Sequence, residues 1–444
     1  MDVLSITLQM ILSLSILVIL HECGHFFPAK WFKTRVEKFY LFFNPWFSLF
    51  KFQRGETEYG IGWIPFGGYV KISGMIDESM DKEQMKQPPQ PWEFRSKPAW
   101  QRLIIMVGGV VVNFILGFFI FAMLLFAYGK TYYLNKDVVY GIAVDSIGLE
   151  LGLKDGDKIL KVGDYAFEKF EPMQVTREIV LHNASSITVE RLGNVVEIPI
   201  PDGIAKSLTG AGAKGASLFE MRFPQEIKKV AKNSVAEKYG IQSGDKVLTV
   251  NGVEVPYWHE FNNQLRRYKD QMVNIKILRG ADTISMDVQM DNTGKLGVYP
   301  KTWDEFFTVS REKFGFFESL PLGVKEGVGF LNDQLKAFGQ MFRNKIDVKE
   351  NLGSVISIAR MFDSSWNWEK FWKITAMLSI ILAFFNILPI PALDGGYVLF
   401  LLWEVITGRK PSDKFMEVVT IVGFVILVLL MIFVLGLDIS KLFK

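Results

Sequence analysis

Four long apolar stretches dominate the hydropathy pattern, and each is long enough to cross a bilayer as a helix, which takes about 20 residues. They contain no charged side chain and lie at Val3–Leu20, Leu103–Tyr128, Ile374–Leu393 and Val418–Leu437. A removable signal peptide is the alternative for the first stretch, but it lacks a basic leading region and an Ala-x-Ala cleavage site. The pattern therefore predicts four transmembrane helices.

Lysine and arginine are concentrated in two of the segments that connect these stretches, 30–102 and 409–414. Basic residues accumulate in cytoplasmic loops, so we expect both segments on the cytoplasmic side of the membrane. The long segment 129–370 and both chain ends are then extracytoplasmic. Lys441 and Lys444 argue weakly against this placement of the C-terminus.

The segment 129–370 contains an internal repeat. Residues 145–163 match residues 233–251 at an offset of 88, and the same offset aligns Ile187–Arg191 with Ile275–Arg279. Each copy combines a short helix, a Gly-Asp turn and alternating strands with a second helix. The repeat predicts two tandem α+β domains of one fold.

The stretch 36–73 is rich in aromatic and β-branched residues and is interrupted by glycines, which predicts short strands and hairpins. It is too apolar for a simple loop and too broken for a span. We expect a membrane-associated β-hairpin element beside the first helix, with a small cytoplasmic hairpin as the alternative. Residues 303–370 are predicted to form an amphipathic helical connector.

The composition narrows the class of protein. Apolar residues make up 49% of the chain and charged residues 22%, which predicts membrane helices combined with sizeable water-exposed domains. The net charge of +3 comes without a basic tract, so we expect no nucleic acid partner. Cys23 is the only cysteine, which excludes an intrachain disulfide.

The most specific chemical signal follows the first apolar stretch, at His21-Glu-Cys-Gly-His25. On a helix, histidines at positions i and i+4 lie one turn apart on the same face, so both imidazoles reach one Zn²⁺. Glu22 is then placed to accept a proton from water. Ionisable groups at this depth are costly and usually functional, which favours a metal site over chance.

A catalytic zinc takes a third protein ligand. Asp394 is the candidate, because it ends an apolar stretch that Pro389 and Pro391 must break. His21 lies 18 residues after Val3, and Asp394 lies 20 after Ile374. At about 1.5 Å per residue, the two positions differ in depth by only a few ångströms.

The pairing of His-Glu-x-x-His with Asn386-Ile-Leu-Pro-Ile-Pro-Ala-Leu-Asp394-Gly-Gly resembles the signatures of the site-2 protease family. The repeat, with Gly-Leu-Lys-Asp-Gly-Asp and Gly-Ile-Gln-Ser-Gly-Asp segments, resembles tandem PDZ domains of its bacterial RseP-like branch. The resemblance implies an intramembrane zinc metalloprotease that cuts single-pass membrane proteins already trimmed outside. Anti-sigma factors and remnant signal peptides are the implied substrates.

Further site residues follow from the same resemblance. Asn386 is placed to hydrogen-bond the substrate backbone or the oxyanion, and Asn113 to bind substrate, with hydrogen bonds between helices as the alternative for both. Pro389 and the strand residues Gly67, Gly68 and Tyr69 are also predicted to contact substrate. If the strands of 36–73 capture an unwound chain by edge pairing, proline in the 59–64 strand should impair cleavage.

The sequence departs from the family pattern at several positions. Phe42-Phe43-Asn44 replaces a Gly-x-Gly turn, Ser354-Val355 replaces Gly-Pro, and Tyr397 follows Asp-Gly-Gly where histidine is frequent. None of these changes removes a predicted ligand or base. They leave the shape of the substrate-presenting loop open.

The sequence thus predicts a multi-domain membrane protein with four transmembrane α-helices, a β-hairpin element and two extracytoplasmic PDZ-like α+β domains. The predicted regions are the first transmembrane helix (1–33), the β-rich region (34–98), the second transmembrane helix (99–129), the two PDZ-like domains (130–210 and 211–302), the helical connector (303–370) and the last two transmembrane segments (371–405 and 414–438). The PDZ grooves either bind peptide ends or only restrict access. A non-catalytic PDZ scaffold with a structural metal and a zinc transporter are the competing functions. The scaffold has no use for Glu22, and the transporter lacks a polar path.

Overall fold

A computed structural model of the chain describes residues 2–75, 87–210 and 217–442. Residues 76–86 of the predicted region 34–98 and residues 211–216 of the predicted region 211–302 lie outside the description. The chain forms two compact units. The first comprises Met1–Gly129, Lys313–Leu335 and Leu352–Lys444, and the second comprises Lys130–Glu312 and Lys336–Asn351.

The described α-helices, in chain order, are α1 (Asp2–Trp31), α2 (Ala99–Tyr128), α3 (Ser146–Glu150), α4 (Pro172–His182), α5 (Ile204–Thr209), α6 (Val235–Lys238), α7 (Trp258–Leu265), α8 (Trp303–Phe306), α9 (Phe316–Phe342), α10 (Val348–Asn351), α11 (Val355–Ala359), α12 (Trp368–Ile387), α13 (Asp394–Thr407) and α14 (Asp413–Leu442).

The described strands are β1 (Val36–Phe43), β2 (Phe50–Arg54), β3 (Thr57–Ile61), β4 (Ile64–Ile72), β5 (Lys130–Tyr133), β6 (Ile142–Val144), β7 (Lys158–Val162), β8 (Tyr165–Ala166), β9 (Ser186–Arg191), β10 (Asn194–Pro199), β11 (Phe219–Met221), β12 (Ile227–Val230), β13 (Lys246–Val250), β14 (Val253–Glu254), β15 (Met272–Arg279), β16 (Asp282–Gln289), β17 (Val298–Pro300) and β18 (Val309–Glu312).

Four helices of the first unit are long and apolar enough to cross a membrane: α1, α2, α12 and α14. Each overlaps one of the stretches predicted from the apolar pattern. The third differs in extent, because α12 ends at Ile387 and the predicted stretch runs to Leu393. Leu388 precedes a proline and has extended backbone dihedrals (φ −60°, ψ 142°), so the helix cannot continue.

Small residues let the helices of the first unit approach closely. Gly24 of α1 and Gly108 of α2 face each other so tightly that a Cβ on either would collide with the backbone of the other. Hydroxyl groups add polar links between helices. Ser13 Oγ lies 2.9 Å from Thr375 Oγ1, and Ser379 Oγ donates to the carbonyl of Asn113 at 2.7 Å. These contacts fix α1, α2 and α12 against one another.

The C-terminal part of α14 is held by one carboxylate. Asp438 is 2% exposed and accepts the hydroxyls of Ser354 at 2.6 Å and Ser357 at 2.8 Å, as well as both their backbone N–H groups. Ser354 stands where the family pattern has Gly-Pro. The substitution therefore supplies a cap for α11 and a tie to α14.

The segment 36–72 forms a four-stranded sheet in the order β2-β3-β1-β4. Strands β1 and β3 run parallel, and the other neighbours run antiparallel. Within the described residues β4 pairs only with β1, so one of its edges is unpaired. Phe42 has φ +70° where the family pattern has glycine, and the register shifts between Leu41 and Phe43. This strained turn bends the end of β1.

In the second unit, the two repeat copies have the same sheet order. The first copy contains β10-β9-β7-β8 and the second β16-β15-β13-β14, and each adds a two-stranded pair. An ion pair is duplicated at the same offset as the repeat. Arg191 binds both carboxylate oxygens of Asp157 at 2.7 Å, and Arg279 binds Asp245 at 2.8 and 2.7 Å. Burial raises the pKa of the Asp245 carboxyl, but the hydrogen bonds from Arg279 outweigh burial and hold this pKa below its ordinary range.

The first copy extends past the predicted boundary at residue 210. Strand β11 pairs with β6, and Phe219 and Met221 belong to the core of the first copy. The chain therefore returns to the first copy and pairs with β6 before the second copy begins. The predicted helical connector 303–370 also contains a strand, because β18 pairs with β5 and satisfies its backbone groups.

Candidate metal centre

Two histidines of α1 form the first half of the centre. His21 and His25 are 8% and 7% exposed, and their Nε2 atoms are 3.2 Å apart. Their rings meet edge to face with centroids 4.8 Å apart. The one-turn spacing thus brings the same ring nitrogen of both residues to one point.

Asp394 forms the second half, from the far end of the sequence. After the proline break, α13 begins at Asp394 itself, and Gly395 packs against the backbone of Ile387 and Leu388. Asp394 Oδ2 lies 3.2 Å from His21 Nε2 and 3.3 Å from His25 Nε2. The depth estimate assumed a continuous helix, whereas the carboxylate reaches the histidines from the start of a second helix.

The three residues fit a zinc ion by the chemistry and convergence of their donors. Two imidazole nitrogens and one carboxylate oxygen lie within 4.8 Å of one another. No donor among the described residues meets hydrogen-bond geometry at Asp394 Oδ2, although both imidazoles are close. Such a set has the composition of a three-ligand catalytic zinc site, which leaves one position for water or substrate.

Glu22 is adjacent to this set and contacts the β-sheet. It is partly buried, and its carboxylate lies near the backbone N–H of Val70 in β4. A Cβ on Gly68 would lie 2.6 Å from Val18 Cγ1 and 3.8 Å from Glu22 Cγ. Glycine at this position therefore lets β4 lie directly against α1 at the carboxylate.

The two predicted asparagines both contact His21. Asn386 Nδ2 lies 3.4 Å from His21 Nε2, on the side of the metal donors. Asn113 is fully buried in α2, and its Nδ2 lies 3.2 Å from His21 Nδ1. A role for Asn113 in substrate binding stays a prediction, and the contact observed is with a histidine.

The remaining predicted substrate residues lie nearby or in the sheet. Pro389 is exposed in the break between α12 and α13. Gly67 has φ +67°, and Tyr69 stacks on Tyr40 and donates to Asn44 Oδ1 at 2.9 Å. Asn44, one of the departures from the family pattern, thus holds β4 in place.

Sequence reasoning missed the contribution of α2 to the centre. The backbone carbonyl of Ile105 accepts His25 Nδ1 at 2.8 Å. Gly109 lies against both rings, so a Cβ there would be 2.7 Å from His21 Cε1 and closer still to His25 Nε2. A backbone acceptor and a glycine carry no metal-ligand signal in sequence, although the spacing Ile105, Gly109, Asn113 places all three on one helical face.

A second group of ligand-type residues joins the two repeat copies. His259 Nε2 lies 3.2 Å from Asp155 Oδ2 and 3.9 Å from Glu260 Oε1. Arg222 binds the same Glu260 oxygen at 2.7 Å and stacks over Tyr257. Because the guanidinium already neutralises this carboxylate, we interpret the group as an ion-pair network between the two repeat copies. The sequence did not predict Asp155 and Glu260 as neighbours of His259.

Replacing Gly109 with alanine should damage the centre. The new methyl group meets both imidazoles from a rigid helix backbone, so we expect Gly109→Ala to lower the zinc affinity of the purified full-length protein roughly tenfold or more. Gly436→Ala in α14 is the matched control, because a Cβ there meets nothing within 4 Å. Equal zinc affinity in both variants, measured by chelator competition, would contradict this geometry.

Comparison with known proteins finds similarity over nearly the whole chain. The profile described as peptidase family M50 matches residues 9–430. The regulator of sigma E protease of Haemophilus influenzae is 28% identical over 97% of this chain and 98% of its own length. A protein of Vibrio cholerae is 27% identical over 99% of this chain and its whole length. The zinc metalloprotease RasP of Shouchella clausii is 26% identical over 97% of both chains. The chain therefore belongs to peptidase family M50 and is a zinc-dependent membrane metalloprotease.

Proposed function

We propose that the protein hydrolyses peptide bonds within the transmembrane segments of single-pass membrane proteins already trimmed outside, as a step in regulated intramembrane proteolysis. The observation that carries this proposal is the convergence of His21, His25 and Asp394 beside Glu22. His21, Glu22 and His25 belong to α1, and Asp394 is the first residue of α13, which follows α12 after the proline break. Helices α1 and α12 are two of the helices able to cross a membrane. Peptide bonds reaching them would be at membrane depth.

The ligand set proposed is His21, His25 and Asp394. Zinc bound there would supply a Lewis acid that polarises the scissile carbonyl and activates water. Glu22 accepts the proton of the attacking water and passes it to the leaving amine. The Val70 N–H lies near the Glu22 carboxylate, and we propose that it orients this group for the transfer.

Asn386 is proposed to bind the substrate at the same point. Its amide lies on the Nε2 side of His21, where the donors converge. An amide N–H there donates to the carbonyl oxygen that gains negative charge during attack. Pro389 follows in the break and keeps this part of the backbone out of the helix.

We propose β4 as the strand that captures the unwound substrate. A helical substrate hides its amides in its own hydrogen bonds, so it must unwind before hydrolysis. The described edge of β4 is unpaired, and its Val70 N–H reaches Glu22. Strand β3, which contains residues 59–61 of the 59–64 segment, lies between β2 and β1. Proline there would break the sheet itself, so it tests edge capture poorly.

We further propose that the two repeat copies are PDZ-like domains outside the inner membrane. Their shared sheet order and duplicated Arg–Asp pair support one fold. They either bind extended chain ends or limit which proteins reach the centre, which opens toward the cytoplasmic half of the membrane. The Haemophilus relative is named as a regulator of sigma E. This name supports anti-sigma factors as one substrate class, with remnant signal peptides as the other.

Replacing Glu22 with glutamine should separate metal binding from hydrolysis. Glutamine keeps the size of the side chain but cannot accept the proton, so cleavage of a tagged single-span substrate in membranes should fall by about 10²–10⁴-fold with zinc content unchanged. His21→Ala is the comparison that should lose zinc. Unchanged cleavage by Glu22→Gln would contradict the proposed role of Glu22 and favour a metal-binding scaffold.

Photo-crosslinking compares the two edges of the sheet. We would place a photoreactive phenylalanine analogue at Tyr69 in β4 or at Phe52 in β2, both in the Glu22→Gln background so that substrate persists. Edge capture predicts substrate adducts at position 69 and few at position 52, which is a matched aromatic on the opposite edge strand. Adducts mainly at position 52 would contradict the assignment of β4.

A further inference from the structure

The face of α2 toward the metal centre carries three groups in one stripe. Ile105, Gly109 and Asn113 are four residues apart, so they lie on successive turns of the same face. The Ile105 carbonyl contacts His25, Gly109 lies against both rings, and Asn113 contacts His21. In each imidazole, Nε2 faces the proposed metal position and Nδ1 contacts a polar group of α2.

The contact at His25 determines which ring nitrogen carries the proton. A carbonyl oxygen only accepts hydrogen bonds, so His25 Nδ1 must donate to Ile105 at 2.8 Å. In the neutral ring, Nε2 then has the free lone pair. That atom faces Asp394 Oδ2, which suits a metal ligand.

His21 has the same requirement. Its Nε2 faces Asp394 and His25, so its Nδ1 must carry the proton and needs an acceptor. The side-chain amide of Asn113 contacts this atom, with Nδ2 placed 3.2 Å from His21 Nδ1. An N–H facing an N–H is unfavourable, and Asn113 Oδ1 is buried without a partner among the described residues. The oxygen and nitrogen of an amide are assigned by their surroundings, and the reversed assignment gives Nδ1–H an acceptor.

We propose that Asn113 is a positioning residue for the zinc centre: its Oδ1 accepts the Nδ1–H of His21 and so keeps His21 Nε2 free to bind the metal. The inference rests on the proposed ligand role of His21. It replaces substrate contact as the main role of Asn113, because a fully buried side chain is screened from a substrate backbone. The Ser379 hydroxyl donates to the backbone carbonyl of Asn113 at 2.7 Å, so its hydrogen bond is separate from the side-chain amide.

The test compares side chains with and without an acceptor. In the purified full-length protein, Asn113→Leu removes the acceptor at similar volume, and Asn113→Asp keeps it. Zinc affinity is measured by chelator competition, and KM and kcat are measured on a single-span substrate at saturating zinc. We expect Asn113→Leu to weaken zinc binding roughly 10–100-fold and Asn113→Asp to stay near the parent, since outer hydrogen bonds to ligating histidines have effects of this size. KM should be unchanged in both variants.

A substrate-binding role gives the opposite pattern, in which zinc affinity is unchanged and KM rises in Asn113→Leu, and this would overturn the proposal. Equal loss of zinc in Asn113→Leu and Asn113→Asp would also overturn it, because packing alone would then explain the effect. If Asn113→Leu does not accumulate, Asn113→Ala makes the same comparison without added volume.

Two further variants separate this proposal from the ligand assignment. Ser379→Ala removes the link to the Asn113 backbone and leaves the side-chain amide, so we expect zinc affinity close to that of the parent. If His21→Ala leaves zinc affinity unchanged, the ligand assignment itself is wrong and both proposals fail. If His21→Ala loses zinc while Asn113→Leu keeps it, only the positioning role is overturned.

Discussion

The approach of one carboxylate to two imidazoles is the constraint on which the first unit depends. Asp394 Oδ2 lies within 3.3 Å of the Nε2 atoms of both His21 and His25, although Asp394 begins α13 and the histidines belong to α1. A carboxylate at membrane depth is costly without a partner, and a cation shared with two neutral imidazoles supplies one. The glycine contacts of α1 with α2 and of Gly395 with the end of α12 bring the backbones close enough for the three donors to meet.

The surroundings of the centre divide its functions among separate elements. Helix α1 provides two of the proposed ligands and the proposed base, the end of α12 provides Asn386, and α13 begins with the third proposed ligand. Helix α2 contributes no ligand but contacts the far nitrogen of each histidine. Strand β4 contacts Glu22 on the remaining side. Proton transfer, metal orientation and substrate capture are thereby assigned to different elements that meet at one point.

Much of this arrangement follows from local sequence. Apolar stretches and charge clusters are local signals, as are the 88-residue repeat and the His-Glu-x-x-His spacing, and each indicates its element without knowledge of the fold. Long-range pairing could not be derived in this way. Because β1 pairs with β3 on one side and with β4 on the other, β4 is the edge strand beside Glu22. Because β11 pairs with β6, the first copy extends past residue 210. The contact of His259 with Asp155, which belongs to the other copy, could not be derived from local sequence either. Nothing local to these segments encodes a partner that distant.

X-ray absorption at the zinc edge of the purified, zinc-loaded protein tests the central claim most directly. The account predicts scattering from two imidazoles, with all nearest neighbours nitrogen or oxygen at about 2.0–2.2 Å. The chain has four histidines and one cysteine, so other ligand sets are available to it. A sulfur neighbour at about 2.3 Å, which only a thiolate such as Cys23 would give, or a shell without two imidazoles, would contradict a zinc site built from His21, His25 and Asp394.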